Sequence, residues 1–124
     1  MAALTNTVLD GALNVLTSNG DRIDLCSSEP TTYSGFSSVS LGNKTSLSIG
    51  SPADRSGGGR EVTVAAITSS ATGSITGTGT ATHYAISNGS DTLYATGSLS
   101  ASQAVTSGNT FTLAAFTIAI PDPA

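Results

Sequence analysis

Thr82-His83-Tyr84-Ala85-Ile86-Ser87, Asn88-Gly89-Ser90-Asp91, Thr92-Leu93-Tyr94-Ala95-Thr96 is the stretch that decides the fold. Polar and apolar residues alternate on both sides of an Asn-Gly pair, and Asn-Gly supplies the positive φ angles that a tight β-turn demands, so two antiparallel strands are predicted here. The pattern recurs outward in both directions. Upstream, Arg22-Ile23-Asp24-Leu25-Cys26 alternates as a half-buried strand before Ser27-Ser28-Glu29-Pro30 breaks it. Residues 45–49 form a short strand, and residues 60–67 alternate with Val62, Val64 and Ala66 on one face. Downstream, residues 102–105 turn through Thr106-Ser107-Gly108-Asn109 into residues 110–120, a second hairpin ended by Pro121 and Pro123.

The one helical period lies at the start. Leu4, Val8, Leu9, Ala12, Leu13 and Leu16 recur every three or four residues, opposite Asp10 and Asn14, which predicts an amphipathic helix over residues 4–17, stopped by Ser18-Asn19-Gly20. Its apolar face must dock on a sheet face or end. Strand signals separated by Gly and Asn turns, with this helix in front, predict an all-β fold: a single β-sandwich or jelly-roll-like domain of about seven or eight strands.

Two segments read as loops. Residues 31–43 are rich in Ser, Thr and Gly yet carry Tyr33 and Phe36, which either cap one end of the core or serve as apolar anchors for a partner. Residues 50–59 end in Gly57-Gly58-Gly59 and read as a flexible surface loop carrying Arg55, with Arg60 beside it; no buried strand precedes them and no Lys-Ser/Thr follows, so a phosphate cradle is not indicated. Between residues 72 and 82 a hydroxyl occupies every second position, with Gly73, Ile75, Gly77, Gly79 and Ala81 between, which predicts a strand with one solvent-facing hydroxyl face. A flat threonine array of the kind that binds ice needs several such rows at a fixed period, and only one is present.

Composition narrows the chemistry. The chain has 124 residues, 10% of them charged, with formal net charge −4, one His, one Cys, 20 Ser and 19 Thr. Hydroxyls replace charges on its surface. Four basic residues do not make a nucleic-acid face, and no apolar run approaches the about 18 residues of a membrane-spanning helix. Met1-Ala2-Ala3-Leu4-Thr5-Asn6 lacks the basic and apolar regions of a secretory signal, so synthesis in a cytoplasm is expected.

No catalytic constellation emerges. Cys26 reads as a small buried hydrophobe, and no spacing motif sets it or a serine beside His83. Asp21 with Asp24, or Asp54 with Glu61, could be taken as glycosidase carboxylates, but no Trp is present to line a sugar cleft, so they read as turn and surface groups. Asp21-x-x-Asp24 falls short of a calcium loop. No enzyme activity, cofactor or metal is expected.

Four stretches carry a resemblance: Leu4-Thr5-Asn6-Thr7-Val8-Leu9-Asp10, Ser40-Leu41-Gly42-Asn43-Lys44-Thr45, Gly79-Thr80-Ala81-Thr82-His83-Tyr84-Ala85-Ile86 and Val105-Thr106-Ser107-Gly108-Asn109-Thr110-Phe111. In these the chain resembles a family of small structural virion proteins of tailed bacteriophages and prophages, assigned to capsid decoration or to tail fibres. The resemblance implies a virion role, and the expected one is a decoration or cement protein, a homotrimer on the outer capsid surface, whose partner is the major capsid protein. Tyr33 and Phe36 are then the expected apolar anchors, and Arg55 and Arg60 the cationic contacts. The competing reading is a tail-tip adhesion module that holds a host receptor or glycan with its Ser/Thr row and loops.

Overall fold

The computed structural model describes residues 4–121. It is mostly β, with two antiparallel sheets and one long N-terminal helix, consistent with a sandwich-like fold. The elements are α1 (Asn6–Asn19), β1 (Arg22–Cys26), α2 (Tyr33–Phe36), β2 (Ser40–Thr45), β3 (Ala53–Asp54), β4 (Arg60–Val64), β5 (Gly73–Ile75), β6 (Gly79–Ser87), β7 (Leu93–Val105), β8 (Thr110–Phe111) and β9 (Phe116–Ile120). Six strands form one sheet in the order β7-β6-β1-β2-β5-β8, and three form the other in the order β3-β4-β9.

The deciding hairpin forms as β6 and β7, with Tyr84 opposite Gly97 and Ile86 opposite Ala95. Its loop is longer than a two-residue turn. Asn88 Oδ1 accepts the backbone N–H groups of Ser90, Asp91 and Thr92, and Gly89 takes φ +77°. Hydrogen bonds from the Asn88 side chain and then from Thr92 hold the Asp91 carboxyl below the usual carboxylate range.

β1 is paired on both edges, by β2 and β6, and because Ile23 to Cys26 are all buried both its faces are covered, rather than one as its alternation suggests. Ile23 and Leu25 point into the core with Ile75, Ile86, Val62, Val64 and Phe111. Arg22, Asp24 and Cys26 alternate onto the opposite face.

Elsewhere the boundaries move. The helix runs from Asn6 to Asn19 because Thr5 is extended, and it buries Leu9, Leu13 and Leu16 while Leu4, Val8 and Ala12 stay exposed. α1 packs on β4. Ser40–Thr45 is a strand, whereas residues 45–49 contribute only a bridge from Ile49 to Val64. The pattern of residues 60–67 breaks after Val64, so Ile67 rather than Ala66 returns to the core. Residues 50–59 include the short strand β3. Ala53 and Asp54 pair with Glu61 and Arg60, and Gly57, Gly58 and Gly59 turn the chain at φ +90°, +103° and +96°, angles at which a side chain is strained.

The hydroxyl row is split into β5 and β6, and the intervening Thr76 and Gly77 donate their N–H groups to Leu41 O. The second expected hairpin does not form. After the turn at residues 106–109, β8 pairs with β5, and β9 crosses to pair with β4 along its whole length. Core burial wins over proximity here, because Phe116 and Ile118 meet Val64 and Val62 only in the second sheet. Of the expected ends, Pro123 and Met1-Ala2-Ala3 lie outside the described residues.

Candidate functional site

Arg22 and Asp24 stand two residues apart on β1 and therefore share a face. Arg22 Nε and Nη2 donate to Asp24 Oδ1 and Oδ2 at 2.8 and 3.0 Å, and Ser40 Oγ donates to Oδ2 at 2.6 Å. Asp24 is 0% exposed, which corrects its reading as a surface group. Burying a carboxylate is tolerable only when its oxygens are occupied, and here both are. The bond to Asp24 pushes the Arg22 guanidinium further up from its ordinary pKa.

Over this pair lies α2, a single turn whose Thr32 Oγ1 accepts the Gly35 N–H at 3.0 Å. The Arg22 guanidinium carbon stands 5.5 Å from the centre of the Phe36 ring, close enough for a cation–π contact. Tyr33 meets Phe36 edge-on with centroids 4.7 Å apart. Phe36 is buried against Arg22 and so is not an exposed anchor, while Tyr33 remains half-exposed. A cleft of about 360 Å³ opens beside them, lined by Arg22, Tyr33, Ser34, Ser37, Asn43 and Thr76 among others.

The expected cations lie elsewhere, on the β3–β4 hairpin. Arg60 Nε reaches Asp10 Oδ1 at 2.7 Å and Nη1 reaches Asp54 Oδ1 at 2.6 Å, so its charge ties α1 to the hairpin instead of projecting from a loop. Arg55 Nη1 donates to Gly58 O at 2.9 Å across its own turn. The four residues therefore do not form one surface: Tyr33 and Phe36 gather around Arg22, while Arg55 and Arg60 serve the second sheet.

Cys26 and His83, which no spacing motif brings together, are register partners across β1 and β6. Burial, and then the nearby Asp24, push the Cys26 thiol up to about 12, the reverse of what an activated nucleophile needs. His83 Nδ1 bonds instead with Thr82 Oγ1 at 2.9 Å. Among the described residues no group of three His, Cys, Asp or Glu could hold a metal ion, and no helix is long and apolar enough to cross a membrane.

A second cleft, about 430 Å³, separates the outer part of β7 from residues 112–117. Tyr84 and Phe116 face each other across the two sheets there, centroids 4.7 Å apart. Burial raises the Tyr84 phenol pKa.

Sequence reading weighed Asp24 only beside Asp21, as a turn or surface carboxylate, and did not single out Arg22 or Ser40. The alternation of Arg22 and Asp24 in one strand was the available signal; Ser40 joins them only through the β1–β2 register. Comparison with family models, curated proteins and solved structures finds no match.

Proposed function

We propose that this chain is a structural virion protein of a tailed bacteriophage that decorates the outer capsid by binding the major capsid protein through the cleft beside Tyr33. The observation that carries the reading is the make-up of that cleft. A rigid aromatic side chain stands among Ser34, Ser37, Ser40, Asn43 and Thr76, while the one ion pair at its floor is already satisfied within the chain. Tyr with Ser and Asn is the combination that protein-binding loops favour, since the ring supplies contact area at low entropic cost and the small polar groups adapt their hydrogen bonds. Many symmetric copies, each with a modest interface, would reinforce a shell through summed contacts.

Cosedimentation of the purified protein with capsids that lack it tests the reading. Truncating an aromatic anchor at the centre of an interface costs about 2 kcal/mol or more, so Tyr33→Ala should weaken capsid binding by roughly thirtyfold. Saturable binding lost in that variant supports decoration. Antibody gold confined to the tail tips of intact particles would replace it with the adhesion reading.

A further inference from the structure

Each sheet has two edges, and three of the four are blunted in ways that proteins commonly use against edge-to-edge pairing. β3 and β8 are two residues long. β7 is long but irregular: Ala81 pairs with Gln103 and His83 with Ser98, so four residues bulge out opposite Thr82 alone. β9 has none of these protections. Its register with β4 runs without interruption from Arg60–Ile120 to Val64–Phe116. No Asp, Glu, Lys or Arg occurs anywhere in residues 92–121. Half of its backbone N–H and C=O groups face away from β4, toward no strand among the described residues.

The side chains of β9 say what would pair there. Phe116, Ile118 and Ile120 alternate with the small, exposed Thr117 and Ala119, so the pattern is symmetric about Ile118. An antiparallel copy centred on Ile118 sets Phe116 of one copy opposite Ile120 of the other, and Thr117 opposite Ala119. Both apolar rows then lie on the core side, and a neutral strand meets its own copy without repulsion. From this we infer that β9 is a two-fold interface, which joins two chains into one six-stranded sheet across the β9 edges. The inference is independent of the capsid reading and gives a dimer in place of the expected trimer. An interface of this length falls in the small, weak class, so the dimer forms at micromolar or higher concentration.

Sedimentation equilibrium of the purified full chain over a concentration series tests it. The wild type should fit a monomer–dimer equilibrium. Thr117→Lys with Ala119→Lys places like charges opposite each other twice on the exposed face, and should weaken the dimer about tenfold or more with an unchanged circular dichroism spectrum. Thr117→Lys with Ala119→Glu makes both cross-strand pairs attractive and should restore it, which a merely destabilised fold would not. A wild type that stays monomeric, a trimer, or a dimer indifferent to the double Lys variant would each overturn the inference.

Discussion

Replacing Asp24 by alanine takes away the acceptor of three hydrogen bonds at once, two from Arg22 and one from Ser40. Breaking a buried ion pair from one side costs about 3–5 kcal/mol when the surviving charge stays buried. Arg22 is 27% exposed at its side chain and can turn part of its guanidinium to water, so the loss should fall near 3 kcal/mol. For a chain of this size that lowers the melting temperature by roughly 10–15 °C. Urea unfolding followed by far-ultraviolet circular dichroism reads it directly, since the chain has no Trp to report by fluorescence. If the pair acts as a unit, Arg22→Met combined with Asp24→Leu should recover most of the loss, because a well-packed apolar pair replaces a buried ionic one at little cost. An Asp24→Ala variant within about 0.5 kcal/mol of wild type, no more than an ordinary surface substitution, would refute the claim that this carboxylate, Arg22 and Ser40 form a buried unit joining β1 to β2.

A methyl group at Gly97 would lie 2.7 Å from the Tyr84 ring, so Gly97→Ala should cost about 1–3 kcal/mol by urea unfolding and disturb the near-ultraviolet dichroism of tyrosine. Cys26 should resist iodoacetamide at neutral pH until denaturant is added, with mass spectrometry as readout, because it is 0% exposed and protonated. Its titration also sets a sign: below about 9 the thiol is protonated folded and unfolded, while between 9 and about 12 only the unfolded chain loses the proton, so stability falls as pH rises through that window. Urea midpoints at successive alkaline pH values should decline less steeply in Cys26→Ala than in wild type.

Local pattern was enough to read the β6–β7 hairpin, the β1 strand and the N-terminal helix, since each is written in its own alternation or period. What pattern could not show was pairing across distance. Residues 110–120 look like the return arm of residues 102–105, yet β8 goes to β5 and β9 to β4, because only the assembled sheets offer Phe116 and Ile118 a core face. The glycine run reads only as a loop in sequence, and the β3–β4 pairing that its positive φ angles turn the chain into is not written there. At the candidate site Tyr33 was legible as an aromatic without an evident place. Asp24 was misjudged because its burial depends on Arg22 closing over it beneath Phe36 and on Ser40 arriving from β2.

The glycines at the outer strands have a spectroscopic corollary. Tyr84 covers Gly97 in β7, and Phe111 covers Gly73 in β5, each ring lying where a side chain of the glycine would be. In both cases an α-proton of the glycine sits against an aromatic ring, and its resonance should differ from its position in the unfolded chain. One such signal reports on the β6–β7 side of the large sheet and the other on the β5–β8 side. Warming the protein while following both would therefore show whether the two flanks of one sheet open together or separately, with no label added.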